Sequence, residues 1–142
     1  MISMNMLTFE RVWEDIDFFE IEVTAQTNII RASVRSYTTK TLISELASKL
    51  KIFVQNSNYR FIWENGEKGD GSTPFISLEF WYEDKLGHAV IEVFMEIDDG
   101  GSYSKHNCCF YIKTEIGLLS SFGKSLLTLS EGKVGEKIAL HE

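Results

Sequence analysis

The chain has 142 residues, 44% of them hydrophobic and 25% charged, the make-up of a folded protein built around one core. That balance excludes a disordered or collagen-like chain, and no run of about 18 uncharged apolar residues is present to form a membrane-spanning helix. Fourteen Lys and Arg against 21 Asp and Glu leave a formal charge of −7 at pH 7. Phosphate neutralisation needs clustered positive charge, so direct nucleic-acid binding is disfavoured and a basic partner favoured.

The two cysteines, Cys108 and Cys109, are adjacent. Neighbours on a strand point to opposite faces, so they are poorly placed to bond each other and cannot staple distant segments. A reducing, cytoplasmic setting fits. The first seven residues carry neither a basic region nor a long apolar stretch, so no signal peptide is read there.

In chain order, residues 18–26 alternate strongly, with Phe19, Ile21, Val23 and Ala25 on one side. Residues 29–37 repeat the pattern after a short turn, which predicts an antiparallel hairpin. The period then becomes helical. Thr38 or Thr39 can cap a helix over residues 39–53, in which Leu42, Ile43, Leu46, Ala47 and Leu50 form the apolar stripe. A strand at 59–64 is followed by a glycine-rich, charged loop at 65–72. Residues 75–84 and 88–98 predict a second hairpin, a tight turn at 98–101 leads to a strand at 104–113, and a helix follows at about 115–129.

This order, ββαββββα, predicts an α+β two-layer domain over residues 1–142. It has about six mostly antiparallel strands, two helices on one face, and a loosely ordered tail at 130–142. The helices would bury Phe19, Ile21, Val23, Val34, Ile76, Leu78, Phe80, Ile91, Val93, Phe110 and Ile112. The opposite face would then be left bare, showing Phe18, Glu20, Glu22, Arg31, Arg35, Tyr37, Glu79, Trp81, Glu83, Glu92, Phe94, Glu96 and Tyr111. Large rings among fixed charges are what protein-binding surfaces use. The turn of the second hairpin also sets Glu79 opposite Glu92, and like charges directly opposed destabilise a sheet. Arg31, Arg35, Arg60 or Lys105 could relieve this within the chain, and a basic partner could do so from outside. The same face also reads as a solvated sheet with cross-strand packing pairs, or as the buried face of a homodimer.

Catalytic and metal motifs are thin. Gly66, Gly69 and Gly71 sit between two strands rather than before a helix, so they do not form a phosphate cradle. His106 and Cys108 share a strand face but supply only two of the four ligands of a structural zinc site. The acids at 14, 15 and 17 lack calcium-loop spacing, and those at 98 and 99 suit a turn. No enzyme, cofactor or metal is expected.

The segments 14–23, 77–80 and 92–96, with the amphipathic helix carrying Leu42, Leu46 and Leu50 and the terminal helix, resemble the WapI-type immunity proteins of bacterial contact-dependent toxin systems. The resemblance implies a cytoplasmic, non-enzymatic protein that neutralises a toxin domain by tight binding, often a nuclease with a basic cleft. The binding residues expected on the bare face are Trp81, Phe94 and Tyr111 as apolar anchors, with Glu79, Glu92, Glu96 and Glu22 as acceptors for Arg or Lys. The alternatives are a homodimer burying the same face, or a small-molecule binder with a pocket of about 300 Å³ or more.

Overall fold

The computed structural model describes residues 5–68, 74–98 and 105–141. The elements follow as β1 (Met6–Glu14), β2 (Phe19–Gln26), β3 (Arg31–Thr38), α1 (Lys40–Phe53), β4 (Phe61–Asn65), β5 (Phe75–Tyr82), β6 (His88–Asp98), β7 (Lys105–Glu115), α2 (Ile116–Ser130) and β8 (Lys137–His141). The class is α+β, as the alternation of strand and helix periods implies. Of the expected features, the turn at 98–101 falls almost wholly outside the described residues, as do the glycine loop from residue 69, the first four residues and Ser104.

Two features depart from the sequence reading. The strands number eight, and they form two four-stranded antiparallel sheets, ordered β3-β2-β1-β8 and β4-β5-β6-β7. The physical reason is that β1 and β8 complete the first hairpin's sheet, while α1 carries the chain away before β4 begins a new one. The sheets meet through side chains rather than a backbone ladder. Asn65 Nδ2 donates to Ser36 Oγ at 2.7 Å and to the Tyr37 carbonyl at 3.0 Å, and Ser36 Oγ donates to the Pro74 carbonyl at 3.4 Å. The tail expected to be loose instead supplies β8, which pairs antiparallel with β1 and brings Ile138 and Leu140 beside Phe9 and Leu7.

Both sheets turn their apolar faces into one core. Every residue of the expected buried set is buried there, from Phe19 through Ile112. The helices supply the rest of it: Ile43, Leu46, Leu50 and Phe53 from α1, and Leu119, Phe122, Leu126 and Leu129 from α2. Thr39 caps α1 by accepting the Leu42 N–H at 3.2 Å, which satisfies a free donor of the first turn. Phe53 packs its ring against Phe61 and Phe80 of the second sheet, and Phe122 of α2 meets Phe9 of the first. Trp63 ties the two halves: its ring lies 5.9 Å from Phe9, and its Nε1–H donates to the Leu42 carbonyl at 3.0 Å.

Candidate protein-binding face

The β5–β6 register is what places the candidate residues. Alternation puts Ile76, Leu78 and Phe80 inward, which forces Phe75, Ser77, Glu79 and Trp81 outward. The connecting turn is closed by Asp84, whose Oδ1 accepts the N–H groups of Leu86 and His88, with Gly87 at φ +91°. The resulting pairs are Trp81 with Val90, Glu79 with Glu92, Ser77 with Phe94, and Phe75 with Glu96. On the far side of β6, Glu92 faces Tyr111, Phe94 faces Cys109 and Glu96 faces Asn107. Six of the seven expected residues therefore share one surface, the outer face of the second sheet.

Glu22 does not join them. It lies in β2, on the outer face of the other sheet, opposite Glu10 and Arg35. Arg35 Nε donates to its carboxylate at 2.9 Å. Identical alternation in two hairpins made one face of what are two sheets, and Phe18, Glu20, Arg31 and Tyr37 are separated from Trp81 for the same reason.

On the second sheet the rings form a chain. The Arg60 guanidinium lies over the Trp81 ring at 4.3 Å, and Trp81 meets Tyr111 edge to face at 6.2 Å. Phe94 has Phe75 at 6.0 Å and the Lys68 ammonium 5.0 Å above its ring. Among the described residues these ring partners come from the sheet and its loops, not from either helix. Trp81 and Phe94 are half-buried, and Tyr111 is 53% exposed.

The opposed carboxylates are handled separately. Arg60 Nε donates to Glu79 at 2.6 Å, so the same guanidinium neutralises an acid and stacks on a tryptophan. Glu92 takes a hydrogen bond from the Tyr111 hydroxyl. Its negative charge, then that bond, hold the phenol above its ordinary range. Of the four basic residues expected to offset Glu79 and Glu92, Arg60 does so, while Arg35 is engaged by Glu22. The centre of the face is thus acidic, with Arg60, Lys68 and Lys113 around it.

Burial pushes the Cys108 thiol up, and burial together with the Glu92 charge does the same to Cys109, the direction opposite to an activated nucleophile. Among the described residues no three His, Cys, Asp or Glu gather at metal-binding range, and no helix is long and apolar enough to cross a membrane.

The sequence reading missed a second ring cluster. A bulge between Arg11 and Trp13 breaks the β1 register, so Arg11 points inward and Trp13 outward. Trp13, Phe18 and Tyr37 then meet pairwise at 5.3–6.0 Å on the outer face of the first sheet. The alternation at residues 6–10 was the available signal for β1, since Leu7 and Phe9 face inward while Met6, Thr8 and Glu10 face out.

In comparisons with known proteins, no family model, curated protein or solved structure matches the chain.

Proposed function

We propose that this chain is a non-enzymatic protein-binding module that docks a basic partner on the outer face of the β4-β5-β6-β7 sheet. The observation that carries the reading is the Arg60–Trp81–Tyr111 chain of flat groups beside the opposed Glu79 and Glu92, whose ring partners among the described residues come from the sheet and its loops and not from either helix. Rigid aromatic rings provide contact area at low entropic cost, and because Arg60 already covers Trp81 and neutralises Glu79, an Arg-bearing partner would find the exposed Tyr111 ring and the Glu92 carboxylate. The Glu79–Glu92 opposition makes sense in the same terms. Arg60 neutralises Glu79 within the chain, which leaves the Glu92 charge to be met by a cation from outside. A net charge of −7 adds long-range steering toward such a partner.

Taken with its resemblance to WapI-type immunity proteins, this face is that of a cytoplasmic immunity protein, and its partner is a basic toxin domain held one to one without cofactor or catalysis. Co-purification from the native host is the experiment. Recovery of a basic protein in a 1:1 complex, encoded by an adjacent reading frame for a large secreted protein with a variable C-terminal domain, supports the assignment. A chain that self-associates across a dilution series, with no other partner recovered, overturns it in favour of a homodimer.

A further inference from the structure

The strand β7 is one edge of the second sheet, and among the described residues β6 is the only strand that pairs with it. Its 11 residues pair with β6 in unbroken register, without bulge or proline, whereas the other edges, β3, β4 and β8, have eight, five and five residues. A long, regular edge is a template for a further strand unless bulges, prolines or opposed like charges blunt it.

The phase of the ladder shows which backbone groups are on offer. Just beyond the strand ends, the Ile116 N–H donates to the Gly87 carbonyl at 3.0 Å. Hydrogen-bonded pairs recur at every second residue, so 114, 112, 110 and 108 direct their backbone groups at β6. The N–H and C=O groups of 107, 109, 111 and 113 therefore point outward from the edge.

The side chains select what can pair there, because residues opposed across an antiparallel pair share a face. Laid against a second copy of itself about a twofold axis at Phe110, β7 meets this demand over its whole length. On the inner side Phe110 faces Phe110, Cys108 faces Ile112 and His106 faces Thr114; on the outer side Cys109 faces Tyr111, Asn107 faces Lys113 and Lys105 faces Glu115. The symmetry forms each unlike pair twice, so both ends close on opposite charges and no like charges meet. Moving the axis to Cys109 would set Lys105 against Lys113 twice, and moving it to Tyr111 would lose both Lys105–Glu115 pairs. The longest register is thus also the one that matches the charges. In a chain of −7, moreover, β7 brings two lysines and one glutamate to the seam, so two copies meet there without the repulsion of their other surfaces.

We propose that the chain forms a twofold homodimer by antiparallel pairing of β7 with β7 of a second copy, which joins two four-stranded sheets into one continuous sheet. Edge pairing leaves both outer faces open. The dimer is therefore independent of the docking reading, and each copy presents its own Trp81, Phe94 and Tyr111.

Sedimentation velocity on the full chain from about 1 µM to about 1 mM is the test, and a 16.3 kDa species should give way to one of twice that mass. Lys105→Glu places like charges together at both ends and should weaken the dimer about tenfold. Adding Glu115→Lys restores opposite charges and should recover wild-type association. Cys109→Pro removes an N–H that points away from β6, a position where an edge strand accepts proline, so that variant should be folded by circular dichroism and monomeric. The charge-swapped pair decides the matter whether or not Cys109→Pro folds. A monomer at every concentration, or a dimer that Lys105→Glu leaves unchanged, would overturn the proposal. A monomer that still recovers a basic protein would do so while leaving the docking face standing.

Discussion

Replacing Arg11 with Met tests how the two ends of the fold are joined. Arg11 is 5% exposed. Its Nη1 donates to the Leu129 carbonyl at 2.9 Å and to the Ser130 carbonyl at 3.4 Å, at the C-terminus of α2 where the helix dipole favours a cation. The guanidinium stands 3.7 Å from the centre of the Phe19 ring, and Nη2 reaches Glu14 at 2.9 Å. The buried charge-assisted bond to Leu129 is worth about 2 kcal/mol, and the dipole and ring contacts about 1 kcal/mol each. Glu14 is 39% exposed, so its ion pair adds little. Against these, Met relieves the desolvation of a buried charge whose Nε has no partner. The net loss is about 2–3 kcal/mol, which at about 3 °C per kcal/mol for a chain of this length lowers Tm by roughly 6–9 °C. Thermal unfolding followed by circular dichroism measures it. Arg11→Lys should recover part of the loss, since one ammonium can still reach a terminal carbonyl. A Met variant melting within about 2 °C of wild type would refute the reasoning, because the summed contacts could then not exceed the desolvation they offset.

Three further outcomes follow from named contacts. Glu92→Gln keeps an acceptor for Tyr111 while removing one of two opposed charges, so chemical denaturation should show a gain of about 0.5 kcal/mol; the same variant should bind a basic partner more weakly. Gly66 sits at φ +95° with the Pro74 carbonyl where a Cβ would project, so Gly66→Ala should cost about 2 kcal/mol or more in the same assay. The hydrogen bond that the His88 ring donates to the Asp84 carboxylate, then the charge of that carboxylate, raises the His88 imidazole above its ordinary value. A raised folded-state pKa stabilises most below the unfolded value, near 6.5, and that contribution fades as pH rises through the folded value. The denaturation midpoint of His88→Gln should therefore fall furthest below wild type near pH 5.5, with the gap narrowing above neutrality.

Much of the fold is legible wherever local signals and tertiary demands agree. Thr39 and the Leu42–Leu50 stripe mark α1 within a residue, and unbroken alternation fixes β5 against β6 closely enough to set Glu79 opposite Glu92. The strand β1 is obscured because Arg11 occupies an inward position and the following bulge reverses the faces. A buried arginine reads as a surface residue until the helix terminus that binds it is known. β8 has only Ile138 and Leu140 among charged neighbours, and its order comes from pairing with β1 rather than from its own pattern. The division into two sheets leaves no local trace at all: Glu22 alternates as Glu79 does, and only the partners of each strand separate them. The six remaining site residues come together because they lie on adjacent strands whose register the hydrophobic pattern fixes.

The most direct measurement is the affinity of the co-purified partner for wild type and for Trp81→Ala and Phe94→Ala, by calorimetry on proteins shown by circular dichroism to be folded. Loss of more than about 30-fold in either variant is the result expected of anchor residues in a docking surface. Full affinity in both would mean that the partner binds elsewhere and that these rings serve only to pack the sheet.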